Sequence, residues 1–177
     1  MEQRARSVRP AGDVSRKTAF APVVRSDARV LVLGSLPGDA SLAAGRYYAH
    51  PRNQFWTIIG AVIGRDLVAM AYEDRLAALA DARVGLWDTV ASAQRTGSLD
   101  TAMRDVAAAE LDQLVAGLPH LRAVGFNGGT AARIGRGQLL RHDALALVDL
   151  PSTSPAYCAV TIAQKQQKWN YLRKFVK

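Results

Sequence analysis

Four short apolar runs limit what this chain can become: Val30 to Leu33, Val84 to Trp87, Leu121 to Phe126 and Ala144 to Leu150. The first, VLVL, is apolar at every position, which marks a strand covered on both faces, as in a parallel sheet. Helical spacing fills the intervals between the runs. Phe55, Ile59, Val62 and Ile63 fall on one helical face, with Asn53 placed to cap its start and Gly64 to stop it. Further helices are expected from about Glu73 to Ala82, Val106 to Leu118, Thr130 to Ile134 and Ala159 to Phe175. Strands separated by helices imply right-handed crossovers, so the pattern predicts an α/β fold with a parallel sheet covered on both faces. The strand tips then share one edge, where open α/β sheets bind their ligands.

Three of those tips carry unusual residues: Gly34 to Gly38 (GSLPG), Asn127 to Gly129, and Pro151 to Pro155. The first leads into Tyr47-Tyr48-Ala49-His50-Pro51-Arg52-Asn53, an aromatic and polar segment that is odd for a mere connector. The stretch from Asp88 to Asp100 reads as a long polar loop, and long loops inside compact domains usually carry function.

The 177 residues suit a single domain, and their formal charge of +8 suggests an anionic partner. That excess lies at the two ends: seven basic against three acidic residues over 1–29, five against none over 159–177, and near balance between. Basic ends on a neutral body suit phosphate contacts, or else a solvated surface. Residues 1–18 read as a flexible basic tail and 19–177 as the domain. One cysteine, Cys158, rules out an intrachain disulfide or a four-cysteine iron–sulfur cluster. The three histidines lack metal-ligand spacing, so neither metal nor cofactor is expected, and no run suggests a membrane span. A cytoplasmic, nucleoid-associated, bacterial setting and a monomer complete the expectation.

GSLPGDASL and YYAHPRNQFW, together with FNGG and LPSTSPAY, resemble the uracil-DNA glycosylase superfamily, most closely its hypoxanthine-DNA glycosylase branch. AHPxNxFW is shared with the mismatch-specific uracil-DNA glycosylases, and the likeness runs from about Val30 to the final helix. It implies a three-layer αβα fold with a four-stranded parallel sheet in order 2-1-3-4. It also implies hydrolysis of the N-glycosidic bond to a deaminated base flipped out of DNA. Where the mismatch-specific branch has a water-positioning asparagine, this chain has Leu36, which cannot hold water. The hypoxanthine branch shares that departure, and its catalytic asparagine matches Asn53.

The chemistry fits these residue types. Breaking the bond passes through an oxocarbenium-like sugar, so a group that orients water is needed more than a strong nucleophile. The amide of Asn53 can orient it, although Asn53 also sits where a helix cap belongs. Asp39 is the rival catalytic group, with capping of a short helical turn as its plainer role. Gly34, Ser35, Leu36 and Gly38 would border the base, with backbone N–H groups receiving charge from it. Tyr48, twelve residues after Leu36, matches the aromatic that stacks on the flipped base, while Tyr47 packs in the wall. Asn127 matches the superfamily's base-reading position, its amide suiting the adjacent carbonyl and ring N–H of hypoxanthine or uracil; turn formation before Gly128-Gly129 is the alternative. Ser152, Thr153 and Ser154 are expected on the DNA backbone, with Arg95, Ser98, Lys165 and Lys168 as further DNA contacts.

The sequence therefore points to a monofunctional glycosylase acting on hypoxanthine, with uracil, xanthine or ethenocytosine as further candidates. Two alternatives remain: an inactive nucleic-acid-binding module, suggested by Leu36, and a doubly wound enzyme for a small phosphorylated ligand. The latter lacks both G-x-G-x-x-G and G-x-x-x-x-G-K-[ST] after a strand.

Overall fold

The computed structural model describes residues 15–176. In chain order it contains β1 (Ser15–Thr18), β2 (Val30–Gly34), α1 (Asp39–Ala44), α2 (Phe55–Ile63), α3 (Tyr72–Asp81), β3 (Val84–Asp88) and β4 (Val90–Arg95). There follow β5 (Arg104–Ala108), α4 (Leu111–Ala116), β6 (Ala123–Asn127), α5 (Gly129–Leu139), β7 (Ala146–Leu150), α6 (Ile162–Trp169) and α7 (Arg173–Val176).

Strands β3, β2, β6 and β7 form a parallel sheet in that spatial order, which is 2-1-3-4 when these four are counted along the chain. The apolar run of β2 explains itself here. Val30 and Val32 pack with Phe55, Ile58, Ile59, Leu79, Trp169 and Leu172, whereas Leu31 and Leu33 pack with Leu111, Val115, Phe126, Ala131 and Leu139. Helices α2, α3 and α6 therefore cover one face and α4 and α5 the other, giving the three layers. Each fully buried Leu or Ile contributes about 2 kcal/mol of transfer free energy, so both faces anchor the sheet.

A second sheet, antiparallel and ordered β1-β4-β5, differs from the sequence expectation. Ser15–Thr18 pairs with Ser92–Arg95, so the flexible tail expected over 1–18 does not extend to those four residues; residues 1–14 lie outside the described part. The expected loop from Asp88 to Asp100 contains β4, and the first part of the helix expected from Val106 to Leu118 is strand β5. Physical causes are visible. Register shifts between β4 and β5 break the period-two pattern, and every residue of β5 is exposed, so no apolar face advertises the strand. Pairing with β4 overrides the helical preference of the alanines in β5. The closing helix is also divided, into α6, a 3₁₀ turn at Asn170–Leu172, and α7.

The small sheet reaches the tips of the large one. Thr89 N–H donates to Gly34 O at 2.8 Å and Val90 N–H to Ser35 O at 3.0 Å. Leu36 then packs with Val90, Ala93 and Met103 in a core of its own.

Candidate active site

A cavity of about 520 Å³ opens at the carboxyl edge of the parallel sheet. All four strand tips reach it, and Gly34, Tyr48, Asn53, Asp88, Asn127 and Ser152 lie in its wall. Its volume falls within the range of small-molecule clefts.

Asn53 sits just before α2, and its Oδ1 accepts the Phe55 N–H at 2.9 Å. The expected cap shifts by one residue, because Gln54 is the N-cap of α2 and makes no side-chain cap bond; Asn53 holds the first N–H of the helix from the position before it and also lines the cavity. The backbone bond fixes which end of the amide is oxygen, and a carbonyl oxygen retains a second lone pair. The entry to α2 is clamped from the far side of the site: Gln54 N–H donates to Thr153 O at 3.0 Å, and Lys165 Nζ reaches Gln54 Oε1 and Tyr157 O, each at 2.9 Å.

Tyr48 adopts φ 53°, a left-handed conformation that costs an aromatic residue about 1–3 kcal/mol and tends to persist at functional sites. Its ring stacks on Phe55, with centroids 3.8 Å apart and planes tilted by 16°. Burial, helped by the Asp88 charge, raises its phenol pKa, so Tyr48 is neutral. Tyr47 is a wall residue, buried, with its hydroxyl donating to Ala21 O.

Asn127 is tightly engaged. Its Oδ1 accepts Thr153 N–H at 2.9 Å, while Nδ2 donates to Thr153 Oγ1 at 3.0 Å and Tyr48 Oη at 3.3 Å. Both amide hydrogens are committed within the protein, which leaves one oxygen lone pair for any ligand. Thr153 is fully buried, so its hydroxyl serves this clasp rather than the DNA backbone. Ser152 and Ser154 also line the cavity, and their hydroxyls accept the N–H groups of Ser154 and Ala156.

Several expected roles change. Asp39 begins α1 outside the cavity and pairs with Lys17, while its backbone N–H donates to Ser98 Oγ at 2.9 Å. Its carboxylate is a structural partner, and the catalytic role expected of it has no geometric basis. Arg95 is fully buried, with Nε on Gly97 O at 2.9 Å and its terminal nitrogens on Leu36 O and Pro37 O. It is a strut under the GSLPG turn and offers nothing to a phosphate. Lys165 is 2% exposed and occupied as described, so it too is no DNA contact; burial lowers its pKa. Lys168 is exposed but does not line the cavity, whereas Ser98 lies on its rim. Ser35, Leu36 and Gly38 line it as expected, with Ser35 Oγ donating to Asp100 Oδ1 at 2.7 Å.

One residue escaped the sequence reading. Asp88 ends β3 directly beside Gly34 of β2, is 4% exposed, and lines the cavity. A Cβ at position 34 would lie 2.7 Å from its Oδ1, so only glycine leaves room for the carboxyl. Burial, reinforced by the Asp100 charge and only partly offset by Arg95, pushes its pKa up to about 7. The signal is in the sequence: Asp88 ends the VGLW run and so occupies the fourth strand tip, on the same edge as the other three.

Known proteins share this fold and sequence. The family model described as "Uracil DNA glycosylase superfamily" matches residues 21–175. The chain belongs to the uracil DNA glycosylase superfamily. Within that superfamily it is 41% identical over 113 residues to a protein named hypoxanthine DNA glycosylase from Methanosarcina barkeri, covering 64% of this chain and 72% of that one. It is 38% identical over 140 residues to a protein of the same name from Methanosarcina acetivorans, covering 79% and 87%. A solution NMR structure of a Methanosarcina acetivorans protein described as a uracil DNA glycosylase superposes with a TM-score of 0.81 at 33% identity, covering 92% of this chain and 99% of that chain. These relatives are archaeal and lend no support to the expected bacterial origin. No helix among the described residues is long and apolar enough to cross a membrane, and no cluster of three His, Cys, Asp or Glu there could hold a metal ion.

Proposed function

We infer that this protein removes hypoxanthine from DNA by hydrolysing the N-glycosidic bond of a nucleotide flipped into the cavity. Action on a deaminated base in DNA follows from the superfamily and from the relatives' names. The observation that carries the site reading is convergence: Tyr48 and Asn53, from the segment before α2, and Asn127, from the end of β6, line one cavity.

In this reading the second lone pair of Asn53 Oδ1 holds the attacking water against C1′. Leu36 is 6% exposed and apolar, so at the corresponding point of the GSLPG turn there is no competing water ligand. The base lies against Tyr48, and the remaining lone pair of Asn127 accepts the ring N–H next to the carbonyl. Hypoxanthine and uracil both carry that N–H, so the same site admits uracil as a second substrate, whereas adenine and cytosine lack it. The N-terminus of α5, with Gly128, Gly129 and Thr130 in the cavity wall, and the hydroxyls of Ser152 and Ser154 face the flanking phosphates. The enzyme acts as a monomer on cytoplasmic, nucleoid-associated DNA.

The test is incubation of the purified protein with an oligonucleotide duplex holding one deoxyinosine, followed by alkali. Strand cutting at the inosine, dependent on the alkaline step, is expected of a monofunctional glycosylase. An intact strand at inosine, with cutting at uracil instead, would shift the substrate to uracil.

A further inference from the structure

The mechanism above leaves a buried acid unused. Asp88 Oδ2 is shielded from solvent and has no hydrogen-bond partner among the described residues, although a buried, unpaired carboxylate is costly to keep. The groups around it explain how the cost is met. Arg95, on β4, has its donors on the carbonyls of Leu36, Pro37 and Gly97, and among the described residues its one ion-pair approach, at 4.0 Å, is to Asp39. Asp100, from the 3₁₀ turn before β5, is held by the Ser35 hydroxyl and adds negative charge. Tyr47 and Tyr48, from the segment before α2, are both neutral, their pKa values raised by burial with the Asp88 charge as a further cause. Nothing there neutralises Asp88 by direct pairing, so the carboxyl holds its proton up to about pH 7. A neutral carboxylic acid in a cleft is a proton donor.

Its position suits one edge of a purine. Asp88 and Asn127 end the two strands that flank β2, with Gly34 at the tip between them. Neighbouring strands are about 4.8 Å apart, so the two side chains stand on opposite sides of a slot centred on the β2 tip. The Tyr48 hydroxyl, 3.3 Å from Asn127 Nδ2 and beside Gly34, forms the floor of this slot. With Asn127 taking the N1–H of hypoxanthine and the six-carbonyl turned down toward β2, so that N9 and its sugar face the cavity mouth, N7 lies on the Asp88 side. A purine departs far more readily when protonated at N7, because the electron pair of the breaking bond then enters a neutral ring system.

We propose that Asp88, as the neutral carboxylic acid, protonates N7 of the departing hypoxanthine and is the general acid of the reaction. Its proton passes to N7 while the C1′–N9 bond breaks and both bonding electrons go to N9, so neutral hypoxanthine leaves. The water on Asn53 adds to C1′ and gives up a proton to solvent, and the Asp88 carboxylate regains one from solvent, returning the enzyme to its starting state. This role rests on the assignment of hypoxanthine as substrate. Uracil has no such ring nitrogen and leaves as its anion, so its release does not draw on Asp88.

The experiment measures single-turnover rates of wild-type protein and Asp88→Asn on duplexes that differ at one position, 2′-deoxyinosine or 7-deaza-2′-deoxyinosine, from pH 5 to 9. Wild-type protein is expected to lose deoxyinosine activity above about pH 7, tenfold for each further unit. It is expected to process the 7-deaza substrate at least about 100-fold more slowly. Asp88→Asn is expected to lose about the same factor on deoxyinosine, with a flat pH profile and unchanged affinity for the duplex. Wild-type activity on deoxyinosine with equal rates on the 7-deaza analogue, or an Asp88→Asn rate within threefold of wild type, overturns the general-acid role alone. Absence of any hypoxanthine release by wild-type protein overturns the substrate assignment, and this role with it. The 7-deaza and pH arms need no variant, so the outcome does not depend on Asp88→Asn folding.

Discussion

The two sheets of this molecule solve different problems. The parallel sheet is apolar through its centre, is covered on both faces, and brings its cavity residues to its tips, with the exposed Asp149 on the half-buried edge strand β7 as its one other charge among the described residues. The antiparallel sheet β1-β4-β5 is largely exposed and lacks a broad apolar face, yet it supplies the buried Arg95 strut and the Val90 and Ala93 side chains under Leu36. One provides the platform; the other fixes the shape of the GSLPG turn standing on it. Recognition loops need support in the direction away from the ligand, and here that support is a strand-borne guanidinium on three backbone carbonyls.

The largest stability effect is expected at the platform's tip. Because the native pKa of Asp88 lies near 7 and an unfolded aspartate near 3.9, the native state retains a proton between those values that the unfolded chain releases. The contribution of this residue to stability therefore falls as pH rises from about 4 to 7 and stays low above 7. Asp88→Asn should remove that slope, leaving the variant up to roughly 4 kcal/mol more stable than wild type at pH 8 and equal to it near pH 4, as read by denaturant titration. A variant with unchanged pH dependence would mean that the carboxyl is not buried as described.

Next in size is the platform interior. Leu31→Ala, at a fully buried position between α4, α5 and the sheet, should cost about 3 kcal/mol in the same titration. Arg95→Ala should cost about 2 kcal/mol by leaving the Leu36 and Pro37 carbonyls without their donor, and should lower turnover while duplex affinity holds. Turnover left intact would show that the antiparallel sheet does not set the turn. Val106→Ala, on exposed β5, should fall within about 0.5 kcal/mol of wild type; a larger loss would mean that this edge has an unrecognised core role.

What the sequence disclosed follows the same line. The parallel strands and their shared edge were legible because an apolar run with helices on both sides has few other ways to fold, whereas their order and the joining of Tyr48, Asn53 and Asn127 came only from the resemblance carried by the GSLPG, YYAHPRNQFW and FNGG motifs. The small sheet was not, since β4 carries alanine and serine with broken register, and β5 has no buried residue. Charge proved the weakest guide. Arg95 and Lys165 look in sequence like any cation available to DNA, and only the carbonyls of Pro37, Gly97 and Tyr157 reveal them as internal struts. Asn127 kept its place and lost part of its freedom, because the Thr153 clasp is a tertiary contact between two strand tips.

The most direct test concerns the carboxamide of Asn53, which accepts the first N–H of α2 and lines the cavity. Asn53→Ala should be measured for hypoxanthine release and, in parallel, for affinity toward the same inosine duplex. A fall in the single-turnover rate of at least about 100-fold, with affinity within about threefold of wild type, is the predicted result. Turnover preserved in Asn53→Ala would contradict the assignment of the attacking water to this residue.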